Sequence, residues 1–319
     1  MIKVAVLDDY CDTARGAANW SVLPERATLT VFNQPIAQSK AVEVLQPFDV
    51  LCTLRERMPL PGSLLRQLCN LKLIVTVGTD ITNLDRSVAS EMGITVISTS
   101  MQHPDADLAA LMNSTPELTW GLMMAAMRHI AEEDRNIRQG GWQSTLGMPL
   151  AGRTLGLLGF GKVAKRMAHY GRAFDMNVIA WSPSLTPEAA HAAGARRVER
   201  NELFQEADIL SIHVTLNDET RGFVGSDEFA LMKHGSYLIN TSRGPIIDEN
   251  ALLAALRAGT IAGAGLDVFD VEPLPVDHPL RGMPNVTLTP HLGYATRPML
   301  EAMFHGMPAV IADFFAAGR

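Results

Sequence analysis

Cysteine is scarce in this chain: three residues in 319, at Cys11, Cys52 and Cys69. Their spacing matches neither a metal-ligand pair nor a disulfide framework, which excludes a cysteine-stapled secreted scaffold and reads as reduced thiols in a cytoplasmic protein. Excess positive charge is also missing. The net charge of −7 argues against nucleic acid and against an anionic membrane as partners. No apolar stretch is read as long enough to span a bilayer. The first residues, MIKVAVLDDY, lack the basic region and long apolar run of a secretion signal and read as a strand. Repeats, low-complexity segments and blocks of like charge are absent; EED at 132–134 reads as a solvated helix face.

What is present is a composition of 47% hydrophobic and 19% charged residues over a length sufficient for two domains. Strand-like and helix-like stretches alternate, the pattern of α/β architecture with doubly wound parallel sheets. Strands are expected at 3–7, 28–32, 50–54, 71–75 and 95–98, with helices at 39–45, 62–69 and 85–91. One long apolar helix is expected over 117–139 and reads as buried between domains or subunits. A second series follows: strands at 155–158, 177–181, 209–214, 236–240, 261–266 and 286–289, with helices at 162–172, 187–193, 226–231 and 249–258. The tail, 298–317, reads as helical and as packing back on the first domain. The chain would then cross twice between domains, 1–99 with 295–319 and 100–294, with a ligand cleft at the crossing.

Within the second series, LGLLGFGKVA at 155–164 runs from an apolar strand into a glycine loop and a helix. Gly159 permits the tight turn, Gly161 lets a pyrophosphate approach the backbone, and Ala164, where a third glycine is usual, still allows helix and strand to pack. A helix N-terminus there offers N–H groups and partial positive charge to an anion. Three further segments follow expected strands of the same sheet. NTSRG at 240–244 carries Arg243, suited to gripping a carboxylate through two parallel hydrogen bonds. AGLDVFDVEP at 264–273 carries Asp267 and Glu272, and TPHLG at 289–293 carries His291. Each taken singly reads as structural. Together they supply what hydride transfer at a 2-oxo acid needs: a cation for the carboxylate and carbonyl, a proton donor active near neutral pH, and a carboxylate that holds it.

GLLGFGKVAKRMA, ADILSIHVTLNDETRGFVG, LMKHGSYLINTSRGPIIDENALLAAL, AGAGLDVFDVEPLP and NVTLTPHLGYAT together resemble the D-2-hydroxyacid dehydrogenase family, over about residues 50 to 296. The resemblance implies a Rossmann-type coenzyme domain inserted in a flavodoxin-like, also doubly wound, substrate domain, and a homodimer. It implies Arg243, Glu272 and His291 as the catalytic set, with Glu272 holding His291. Gly159, Gly161, Lys162 and Val163 match the pyrophosphate loop. Val214, Thr215, Thr241, Ser242, Asp267 and Gly293 match positions that line the cofactor. Val77 and Gly78 match a substrate-domain loop whose N–H groups meet the carboxylate, and Arg55 lies at another strand end of that domain.

Three departures stand out. Ser182 occupies the position of the carboxylate that reads the adenosine ribose, and no lysine or arginine stands at 182–186 to receive a 2′-phosphate. Arg196 and Arg197 read as the flank of the next strand. The expectation is therefore NAD, with NADP left open. The stretch 100–114 holds His103, Asp105 and Asp107, but the family uses no catalytic metal, and a hinge or helix start is expected. The loop GTDITNLD at 78–85 keeps the family's residues only in part. The expected activity is NAD(P)-dependent interconversion of a D-2-hydroxy acid and its 2-oxo acid, of the glyoxylate or hydroxypyruvate type. The alternative is a dinucleotide-binding regulatory protein of the same fold without turnover.

Overall fold

The computed structural model describes residues 1–55, 57–78, 81, 83–101 and 107–318. It comprises two compact units, Met1–Met112 with Ala295–Arg319, and Asn113–Tyr294. Each is a parallel sheet flanked by helices, as the alternation of elements requires.

In the first unit, β1 (Ile2–Val6), β2 (Ala27–Val31), β3 (Val50–Cys52), β4 (Leu73–Val77) and β5 (Thr95–Thr99) form a sheet of order β2-β1-β3-β4-β5. That is the flavodoxin-like order. β4, LIVTV, is buried at all five positions, as an interior parallel strand covered on both faces must be. It runs two residues later than expected, which makes Val77 the last residue of a strand instead of part of a loop.

In the second unit, β6 (Thr154–Leu158), β7 (Asn177–Trp181), β8 (Arg196–Arg197), β9 (Ile209–Ile212), β10 (Tyr237–Asn240), β11 (Gly263–Leu266) and β12 (Val286–Leu288) form a sheet of order β12-β11-β10-β9-β6-β7-β8. Every neighbouring pair is parallel. The chain reverses its direction of winding between β6 and β9. The carboxyl ends of these two strands are the crevice where such sheets take ligands, and the glycine loop emerges there. Leu158, Ile212, Leu238 and Leu266 pack with Phe204 in the core beneath it.

Four sequence expectations are corrected. The helix expected over 117–139 is two, Ser114–Met127 and Ile130–Arg138, broken at His129, whose φ is 54°. The cause is a later segment: the Met148 N–H takes the Met127 carbonyl at 3.0 Å, a group a continuing helix would have used. The helix Arg200–Glu206 was not anticipated; its N-cap is Glu199, paired with Glu202 in a capping box. Arg196 and Arg197 are a strand in their own right, pairing with Ile179 and Ala180. The tail forms Arg297–Phe304 and Met307–Ala316. Taken together, Arg297–Ala316 is long and apolar enough to cross a membrane by length and composition, contrary to expectation. Half of it is buried in the first unit, where its second helix packs on β4 and β5.

Glu133 also departs from the solvated face expected of it. Its carboxylate accepts hydrogen bonds from the N–H and hydroxyl of Ser144 and of Thr145, at 2.7–3.0 Å. With a further bond from Asn136, these hold it down at a pKa of about 2.

Candidate active site

The glycine loop is built by close approach. Gly159 has φ +88°, and a Cβ there would lie 2.7 Å from the His213 carbonyl oxygen. Only glycine makes this turn. Gly161 is the N-cap of the helix Lys162–Ala173, and a Cβ on it would meet nothing within 4 Å. The two glycines therefore do different work: one packs against β9, the other leaves room beside the first turn of a twelve-residue helix. Exposed Lys162 and partly buried Val163 begin that turn, and Ala164 is fully buried against β6. Free N–H groups, a helix dipole and open space over a glycine fit a pyrophosphate. His213, just after β9, binds Ser211 Oγ through Nε2 at 2.9 Å. Desolvation pushes its imidazole down to about 3, so it is a neutral part of the wall.

Beside the loop, Ser182 follows β7 and is half-buried; its carbonyl accepts the Leu185 N–H at 3.1 Å. Val214 and Thr215 follow β9, and the Val214 carbonyl accepts the Ser242 hydroxyl at 2.5 Å.

Ser242 belongs to the turn after β10, which is organised by Asn240, a residue the sequence reading did not single out. Asn240 is fully buried. Its amide donates to the Arg243 carbonyl at 2.9 Å and accepts the Ser242 N–H at 3.0 Å. The side chain thus folds the backbone back on itself within three residues. Gly244 follows, where a Cβ would fall 2.1 Å from the carbonyl carbon of Phe269. Arg243 is pinned between these two constraints, and its Nη1 donates to the Ser242 carbonyl at 2.7 Å. Thr241 is tied to the helix Ser114–Met127. Thr119 Oγ1 donates to the Thr115 carbonyl at 2.7 Å, so in its 2.7 Å contact with Thr241 Oγ1 it is the acceptor.

Asp267 is the second organiser. It directly follows β11 with no exposed surface, and its carboxylate accepts the Thr289 hydroxyl at 2.7 Å and the N–H groups of Leu292 and Gly293 at 2.7 and 2.9 Å. Burial raises its pKa, and these bonds oppose the rise. The Gly293 carbonyl in turn accepts Thr115 Oγ1 at 2.9 Å. The result fixes 289–293 over the end of β11, with His291 at φ 54° and its own N–H on the Asp267 carbonyl at 2.8 Å. A non-glycine residue in that region costs about 1 kcal/mol or more, and the Asp267 bonds hold it there. His291 Nδ1 meets Glu272 Oε2 at 2.6 Å, and Glu272 Oε1 accepts the Phe269 N–H at 2.9 Å. His291 and Glu272 side chains remain 25% and 31% exposed, open to a reactant in a way that Asp267 is not.

Thus the second unit brings every residue of the expected coenzyme set to one end of one sheet. In the first unit, Arg55 follows β3 in a left-handed conformation, φ 52°, and Val77 closes β4. Gly78 has φ +82°, but its N–H donates to the Thr99 carbonyl at 3.2 Å. That corrects the expectation that this N–H is directed at a substrate carboxylate. Residues 79, 80 and 82 of the same loop, and His103 and Asp105, lie outside the described residues. Asp107 caps the helix Leu108–Leu111 by accepting the Ala109 N–H at 2.8 Å, as a helix start requires. Among the described residues no group of three potential ligands is placed to hold a metal ion.

Comparison with known proteins agrees with this geometry. Residues 120–293 match the family described as D-isomer specific 2-hydroxyacid dehydrogenase, NAD binding domain. A glyoxylate reductase of Aeropyrum pernix is 41% identical over 243 residues, 73% of this chain and 70% of that protein. One from Thermococcus litoralis is 36% identical over 286 residues, 86% of this chain and 83% of that protein. Among solved structures, a phosphoglycerate oxidoreductase from Vibrio cholerae superposes with a TM-score of 0.89 at 34% identity, covering 99% of this chain and all of that one.

Proposed function

The chain belongs to the D-isomer specific 2-hydroxyacid dehydrogenase family, and on that premise we propose that it reduces a small 2-oxo acid such as glyoxylate or hydroxypyruvate to the D-2-hydroxy acid. Oxidoreductase action on 2-hydroxy and 2-oxo acids with a nicotinamide dinucleotide is general to its relatives; the substrate, the direction and the residue roles are our reading. The observation that carries it is the Glu272–His291 pair, which lies with Arg243 at the carboxyl end of the sheet from which the glycine loop opens.

The dinucleotide, when bound, supplies the hydride that goes to C2. Everything else falls to the chain. Arg243 binds the substrate carboxylate and polarises the adjacent carbonyl, stabilising the negative charge that grows on its oxygen. His291 hands that oxygen a proton. Its Nδ1 is engaged by Glu272 at 2.6 Å, so Nε2 is the nitrogen that faces the reactant. Glu272 fixes the ring through that contact, acting as a positioning residue. In the oxidative direction the same nitrogen, neutral, accepts the hydroxyl proton. Asp267 holds the His291 loop in place.

We further propose that the protein is a homodimer, joined through the apolar surface of the helix Ile130–Arg138 and the segment after it. Ile130, Ile137, Trp142 and Leu146 are exposed there, on backbone that Glu133 holds in place.

Absorbance at 340 nm, with reduced cofactor and a panel of glyoxylate, hydroxypyruvate, pyruvate and a bulkier 2-oxo acid, tests the reading. Oxidation with glyoxylate or hydroxypyruvate is expected. No oxidation with any acid, while cofactor binding persists, would replace the reading with that of a dinucleotide-binding regulatory protein.

A further inference from the structure

The expectation of NAD rested on the absence of a cation at 182–186. The fold supplies one from elsewhere. β8 pairs with β7 so that Arg197 stands opposite Ala180, one residue before the strand ends and two before Ser182. The Arg197 side chain does not turn away into solvent. Its Nε donates to the carbonyl of Leu185 at 3.0 Å, within the turn that Ser182 begins, and Nη1 meets Glu199 Oε1 at 2.6 Å. The Arg197 side chain is 28% exposed; Glu199 is 71% exposed, and its carboxylate also accepts the Glu202 N–H as the cap of the helix Arg200–Glu206. Arg196 is committed differently, to Glu202 and Glu206 on the neighbouring helix. A guanidinium is therefore anchored at the turn after β7, the turn where strand-end geometry puts the adenosine ribose. No carboxylate stands at 182–187 to accept ribose hydroxyls or to repel a phosphate. The Ser182 and Ser184 hydroxyls are the other polar groups of that turn.

We propose that Arg197, with the serines of the 182–185 turn, receives the 2′-phosphate of NADP(H), and that this chain prefers the phosphorylated dinucleotide. The proposal rests on the dinucleotide-binding reading of the glycine loop and adds to it which adenosine the turn accepts. A phosphate offers three acceptor oxygens to a planar, always-charged donor whose Nε is already fixed by the Leu185 carbonyl, so little side-chain entropy is lost on binding. Glu199 keeps its place as helix cap and shares Arg197 with the phosphate; an exposed ion pair of this kind holds the guanidinium only weakly.

The test separates the adenosine end from catalysis. Calorimetric titration with 2′,5′-ADP and with 5′-AMP reads the phosphate contribution directly, and NADPH and NADH give the same ratio for whole cofactors. The expected result is about tenfold or greater preference for 2′,5′-ADP in the unmodified protein, weakening with added salt. In Arg197→Ala the ratio falls to within about twofold of one. In Ser182→Asp, which restores the ribose-reading carboxylate, the ratio inverts. Equal or weaker binding of 2′,5′-ADP by the unmodified protein overturns the proposal and leaves dinucleotide binding intact, as does a preference that survives Arg197→Ala. Failure of NADPH and NADH alike to bind overturns both. Because the unmodified protein alone can refute it, the proposal does not depend on either variant folding.

Discussion

Arg243 and His291 are held by neighbours more than by their own interactions, and their variants separate binding from proton transfer. Arg243→Ala removes both the carboxylate partner and the charge that stabilises the growing alkoxide. A loss of about 100- to 1000-fold in kcat/KM is expected, on the scale of an oxyanion donor. Arg243→Lys keeps the charge but not the two-pronged geometry and should recover only part of it. Steady-state kinetics on the preferred 2-oxo acid check both, and an unchanged kcat/KM in Arg243→Ala would remove the residue from the mechanism. His291→Asn should lower kcat by about 100-fold or more while cofactor binding is kept, because the proton donor is gone. Glu272→Gln should lower kcat with little change in KM, because the ring loses the carboxylate that fixes it. An unchanged kcat in His291→Asn identifies a different acid. These three residue types were legible in the sequence because each follows an apolar strand. Asn240 was not, since an asparagine after a strand reads as an ordinary turn; only its burial and its two bonds to the 242–243 backbone reveal that it shapes the Arg243 loop.

At the scale of elements, strand ends and turns set the site. The turn after β10 abuts the turn after β11 at backbone contact, and Gly244 is the point of closest approach. Gly244→Ala places a methyl where backbone cannot recede. It is expected to destabilise the protein by about 3 kcal/mol and to lower activity by shifting Arg243. Urea denaturation and kinetics on the same preparation measure both; a fully stable, fully active variant would show the contact to be unimportant. The elements that periodicity missed have specific causes. The break at His129 is imposed by Met148, nineteen residues away in sequence, and the helix Arg200–Glu206 begins on a glutamate cap, a rarer signal than serine or aspartate. β8 is two residues long, too short to show any period. It is also the element that moves an arginine to the adenosine turn.

For the whole molecule, the proposed dimer makes one prediction. Ile137→Asp combined with Leu146→Asp puts two charges into the exposed apolar surface of 130–146. Sedimentation velocity should show the unmodified protein at twice the chain mass, 34.6 kDa, and the variant largely at the mass of one chain. An unmodified protein that sediments as a monomer at micromolar concentration would refute the dimer. The helix Ser114–Met127 supports the site from within the second unit. Leu122 packs on Gly265, and Thr115 and Thr119 bond the site loops.

By itself the sequence determined the architecture and the family. Alternating strand and helix signals, a glycine loop after an apolar strand, and an arginine, a glutamate and a histidine each beyond a strand depend on local pattern, and local pattern survives being read along a line. What only the tertiary structure decided were relations between residues distant in sequence. Asp267 gathers Thr289, Leu292 and Gly293 into the loop that presents His291. Thr99 takes the N–H of Gly78. Arg197 reaches the Leu185 carbonyl, in the turn that Ser182 begins, because β8 is paired with β7. The physical reason is common to all three: a hydrogen bond or ion pair is worth something only at contact distance, and contact between distant residues is set by sheet register and packing, which no single stretch of sequence encodes.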